Sequence, residues 1–172
     1  MQTIIIISFI SLVAYLSISN IIRHKRKNKT LPNIVYKFMA YVYPIESREA
    51  LIFKGINAER DIFSIKPLKS DKYITLSAKM RAERQAYDNN VTHAGVGDTF
   101  IDLKKRGSDG SGEIIAYAYG TVPGVIDGWN KSVKHRRAML NQKYDYVGVG
   151  CILDENNYFI DVVILVNEKT VN

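Results

Sequence analysis

Residues 158–166, YFIDVVILV, are apolar at almost every position. A strand with one wet face alternates apolar and polar residues, whereas a nearly continuous apolar strand is covered on both faces. A chain holding this run must place a sheet between two layers, and both are expected to be helical. A second β-rich run, residues 146–153, precedes it. Asp154, Glu155, Asn156 and Asn157 lie between the two, so the C-terminal part reads as a hairpin.

The helical segments follow from periodicity and caps. Residues 48–62 carry Ala50, Leu51, Phe53, Ile56 and Ile62 at mixed three- and four-residue spacing. Asp71 is placed to cap a helix over residues 72–89. Its packing face is marked by Ile74, Leu76, Ala78, Ala82 and Ala86, and Asn89-Asn90 end it. A short helix is expected over 96–103, a loop at GSDGSG (107–112) and a strand over 113–119. Pro123 opens a helix over 122–130. Ser132 is expected to cap another that ends near Asn141. Trp129 is expected in the core, pinning its helix on the sheet. Tyr117 and Tyr119 alternate with Ala116 and Ala118, so one face of that strand lines a cleft and the other packs inward.

Residues 3–22, TIIIISFISLVAYLSISNII, hold no charge, and 20 residues suffice to cross about 30 Å of hydrocarbon as a helix. There is no basic n-region and no small-x-small cleavage site. The segment therefore reads as a retained single-pass anchor rather than a cleaved signal. Residues 1–30 form the anchor with its basic flank. Residues 31–47 form an aromatic-rich linker or first helix, and 48–172 the globular domain. The flank RHKRKNK follows the span, so the charge bias favours a cytoplasmic domain. Five Lys/Arg and no Asp/Glu lie within residues 1–30; 19 basic and 17 acidic residues remain elsewhere. The basic character thus belongs to the flank, and no nucleic-acid partner is expected. Cys151 is the only cysteine, which excludes an intrachain disulfide and a CxxC zinc site.

Several short pieces occur in a fixed order: Asn57-Ala58-Glu59-Arg60, Thr92-His93-Ala94-Gly95, Gly112-Glu113-Ile114-Ile115-Ala116, residues 129–136 (WNKSVKHR), and Val147-Gly148-Val149-Gly150. In this combination the chain resembles the SCP/CAP superfamily of cysteine-rich secretory, antigen 5 and pathogenesis-related proteins, in its cysteine-poor bacterial form. The resemblance implies an α+β fold, a three-layer α–β–α sandwich, and a domain outside the cytoplasm, against the charge bias. It also implies a cleft with two histidines and acidic partners. By motif these are His93, His135 and Glu113. A second acidic position is filled by Ser132. Ile114 replaces an asparagine of the family pattern, and Val133-Lys134 replace a Pro-Gly before the second histidine.

Two imidazoles and a carboxylate can hold a divalent metal such as zinc, or serve in metal-free acid–base work. Glu113 can instead orient a histidine from behind. Ser132 and His135, three apart, can form a nucleophile pair, or Ser132 can simply cap its helix. The sequence therefore predicts a membrane-anchored binding module with His93, Glu113, Ser132 and His135 lining its cleft. Its ligand is expected to be a small apolar, lipid-like or peptide molecule, or a protein partner. A metal-assisted hydrolase, such as a peptidase, using His93, Glu113 and His135 with metal on the two histidines, is the alternative.

Overall fold

The computed structural model describes residues 45–118 and 120–168. The expected anchor and basic flank, nearly all of the aromatic-rich stretch, and Tyr119 lie outside the described residues. All the described residues belong to one compact unit. Among the described residues no helix is long and apolar enough to cross a membrane.

In chain order the elements are α1 (Ile45–Ile62), β1 (Lys69–Ser70), α2 (Lys72–Tyr87), α3 (Val96–Lys105), β2 (Ser108–Ala118), α4 (Val122–Lys131), α5 (Val133–Met139), β3 (Tyr146–Leu153) and β4 (Phe159–Glu168). The strands form one mixed sheet in the order β1-β3-β4-β2. β1 runs parallel to β3, and the other pairs are antiparallel. The run that reads as buried on both faces is the inner strand β4. Its Val163 and Leu165 join a core with Ile52 and Ile56 of α1 and Val125, Ile126 and Trp129 of α4. Its Ile160, Val162, Ile164 and Val166 join a second core with Ile74, Ala78 and Ala82 of α2 and Leu103 of α3. Helices therefore cover both faces, as the apolar run requires.

The exception in that run, Asp161, is fully buried and pairs with Arg48 of α1 through two guanidinium nitrogens at 2.6 and 2.7 Å. Arg48 also donates to the Gly120 carbonyl at 2.8 Å and stacks over the Phe159 ring. Burying one partner alone would be costly; here the fork geometry satisfies both.

Two glycines let α2 lie directly on β3. A Cβ at Gly148 would overlap the backbone of Ile74 and Thr75, and one at Gly150 the backbone of Ala78 and Lys79. Asp71 caps α2 as expected, accepting from the Tyr73 and Ile74 amides at 2.8 and 2.9 Å.

Three local expectations are corrected. The glycine-rich stretch 107–112 is not all loop: Ser108 to Gly112 open β2, with a register shift between Ser108 and Ser111. β4 is long enough to pair with them, so tertiary pairing overrides turn-like composition. Leu76 is 53% exposed and not on the α2 packing face. In α1, Leu51 and Ile62 face solvent, while Arg48, Ile52, Ile56 and Arg60 form the buried row at four-residue spacing. Arg60 is fully buried because the carbonyls of Lys66, Met139 and Asn141 receive its guanidinium.

Candidate functional site

β2 is an edge strand, and successive side chains on it point to opposite faces. Ile114 enters the core beneath α1 and α4. Glu113 therefore points to the α2 side, where its carboxylate is 2% exposed. A carboxylate so placed needs partners, and both oxygens have one. Oε1 accepts from Arg81 Nε at 2.9 Å, and Oε2 lies 2.8 Å from His93 Nδ1.

His93 arrives on the turn after α2. Asp88 ends that helix and Asn89 takes a left-handed φ of 46°. The Asn90 amide then folds back onto the Gln85 carbonyl at 3.1 Å. Gly95, at φ 76°, supplies the left-handed residue that opens α3. His93 itself is 57% exposed, so the imidazole is anchored at one nitrogen and open at the other side.

His135 comes from α5, which leaves the end of α4 through Ser132. The Trp129 indole donates to the Ile115 carbonyl of β2 at 3.2 Å, pinning α4 to the sheet edge as expected. The His93 and His135 rings lie with centroids 6.4 Å apart at an angle of 51°. Burial, and then the neighbouring His93, lower the pKa of His135 below the ordinary histidine value. His135 is thus kept neutral at neutral pH.

The structure brings together three of the four expected residues, His93, Glu113 and His135. Ser132 stands at the α4–α5 junction with extended backbone, φ −86° and ψ 116°. It occupies the cap position, but its side chain makes no cap hydrogen bond, which corrects the capping expectation. Among the described residues no hydrogen bond joins Ser132 to His135. The Tyr117 hydroxyl donates to Asp154 at 2.6 Å, which pushes the pKa of its phenol up to about 12, and its ring lies against Tyr158. Asp127 pairs with Lys131 at the surface.

Arg81 is a member of the site that the motifs do not include. It is 8% exposed on the α2 face that buries Ala78 and Ala82. The sequence does carry a signal for it: a cation between two buried-face alanines, with no carboxylate three or four residues away, must find a distant partner.

The donor set bears on metal binding. Two nitrogens, one from each imidazole, can approach a shared ion. Both Glu113 oxygens already have a partner, Arg81 for one and His93 for the other, so the carboxylate is placed to orient the imidazole from behind. Among the described residues no group of three or more His, Cys, Asp or Glu side chains is arranged to hold a metal. Catalytic zinc sites use three protein ligands, and this set supplies two.

A model of the cysteine-rich secretory protein family, CAP, matches residues 53–167. The chain belongs to this family. Among similar proteins, YkwD of Bacillus subtilis is 29% identical over 112 residues, covering 63% of this chain and 44% of YkwD. A Bacillus subtilis membrane protein, YlbC, is 36% identical over 75 residues, covering 40% of this chain and 21% of YlbC. The chain thus spans less than half the length of either relative. An extracellular SCP-domain protein of Bacillus anthracis superposes with a TM-score of 0.62 at 20% identity, covering 82% of this chain and 45% of that one. That likeness places the α+β arrangement described above in the CAP fold.

Proposed function

We propose that this CAP domain is a binding module whose ligand is held between His93 and His135, and that the ligand is a peptide rather than a lipid. One observation carries this reading. The His93 imidazole is tied to a buried carboxylate at Nδ1 while more than half of it stays exposed. An imidazole held in this way offers one aimed polar contact to whatever docks there. His135, kept neutral by burial, offers a second within 6.4 Å of the first. Two surface depressions, of about 650 and 370 Å³, lie elsewhere, and neither is lined by His93, Glu113 or His135. The groups gathered at the site are polar and suit the carbonyls and amides of a peptide.

The test is thermal stabilisation of the full chain by panels of short peptides and of fatty acids and lysolipids, with chelator present. The expected result is stabilisation by peptides that is lost in the His93→Ala/His135→Ala variant. Stabilisation by lipids alone, or by neither panel, contradicts the reading.

A second reading, hydrolysis, draws on the same pair. The Glu113–His93 contact leaves Nε2 of His93 free to take a proton, and the neutral His135 stands beside it. A metal would be held by these two imidazoles. Calorimetry with zinc on wild type and on His93→Ala and His135→Ala tests that arm; no uptake by wild type sinks it.

Residues 3–22 are proposed to anchor the domain to a membrane, with the domain on its outer side. The membrane protein YlbC and the extracellular Bacillus anthracis protein support this placement against the charge bias of the flank. A cysteine introduced at an exposed C-terminal position should be labelled from outside intact cells; protection there, with labelling after lysis, contradicts it.

A further inference from the structure

Arg81 takes no part in the chemistry expected from the motifs, yet it touches every part that sets the orientation of His93. Nε donates to Glu113 Oε1 at 2.9 Å. Nη1 donates to the Ala94 carbonyl at 3.1 Å and Nη2 to the Thr92 carbonyl at 3.0 Å. Those two carbonyls belong to the residues on either side of His93. The other oxygen of Glu113 takes His93 Nδ1 at 2.8 Å. One planar guanidinium therefore fixes both the loop that carries the imidazole and the carboxylate that aims it. A Cβ on the next residue of the turn, Gly95, would lie in ordinary contact with Nη1, at 3.7 Å. An arginine fork can serve three acceptors in fixed directions, whereas a lysine ammonium has no rigid plane to set them. The guanidinium is itself held by three hydrogen bonds, on a stem that leaves the buried face of α2 between Ala78 and Ala82.

We propose that Arg81 is the positioning residue of this site. It locks Glu113 and the 92–94 backbone into one frame, so that His93 carries its proton on Nδ1 and leaves Nε2 as its free nitrogen. The tautomer of a histidine is set by the hydrogen bond its other nitrogen makes. Here that bond depends on an arginine that never touches the imidazole. The site is thus built before any ligand arrives. This rests on the reading of His93 as the ligand-facing group, but its test needs no ligand.

The experiment is long-range ¹H–¹⁵N correlation on the full chain with ¹⁵N-labelled histidine, recorded well above the histidine titration range. Wild type is expected to show His93 in the Nδ1–H form. Arg81→Gln and Arg81→Lys are both expected to lose that signature and give the tautomer mixture of a free histidine. Arg81→Lys keeps the buried charge and the aliphatic stem, so it decides the matter should Arg81→Gln fail to fold. A purely structural arginine would lower Tm and leave the His93 signature unchanged; that outcome in the lysine variant overturns the proposal. So does a wild-type His93 already in the Nε2–H form. If no peptide or lipid ever perturbs His93, the ligand reading falls while this result stands.

Discussion

Glu113 and His93 are joined at 2.8 Å across the edge of the sheet, one from the second strand and one from the turn after the second helix. The carboxylate is buried and the imidazole is not. This asymmetry separates them: Glu113 is placed to orient the imidazole, and His93 is the member of the pair open to solvent.

Removing the buried partner should therefore be expensive. Glu113→Ala leaves the Arg81 guanidinium, 10% exposed, without its carboxylate. Breaking such a pair costs about 3–5 kcal/mol. Urea denaturation of wild type and variant measures it, and a loss below about 1 kcal/mol would mean that the pair is solvated in solution.

The α2–β3 approach gives a sharper test of the fold. Gly148→Ala and Gly150→Ala each force a methyl into helix backbone. Both should destabilise by about 1–3 kcal/mol or more, because the helix must shift as a unit. Gly128→Ala, in α4, meets nothing within 4 Å and should be neutral or stabilise by up to about 1 kcal/mol. Thermal melts of the three variants side by side decide this; equal effects would contradict the packing described.

Stability should also fall on acidification because of His135. Its folded pKa lies below the ordinary value of 6.5, through burial first and His93 second. The unfolded chain thus binds the proton more readily. Stability from this group is full above about pH 6.5, declines as pH falls towards the lowered folded value, and levels off below it. His135→Phe should flatten that part of the Tm-versus-pH curve. An unchanged curve would show that His135 titrates alike in both states.

Much of this is legible in the residues. The continuous apolar run announces two-sided burial, Asp71 announces a helix cap, and the ordered motifs bring His93, Glu113 and His135 together. What the sequence hides is polar burial. Arg48, Arg60 and Arg81 sit on packing faces, so the apolar period of α1 and α2 is broken where the structure is most buried. Most of the acceptors that satisfy them lie far along the chain, so the local pattern can at most flag such a cation, as for Arg81, and cannot name its partners. The glycine-rich start of β2 is masked in the same way, since only the length of β4 shows that it is paired. Ser132 has the residue type of a cap, and its backbone agrees with that role while its hydroxyl does not.

The claim that the two imidazoles form one binding site is tested most directly by histidine ¹⁵N and ring-proton shifts of the full chain during titration with short peptides. The chain has three histidines, so His24 in the basic flank serves as an internal control. The account predicts that His93 and His135 shift together at one saturating concentration while His24 stays still. Binding that leaves both still, or that moves only one of them, would contradict it.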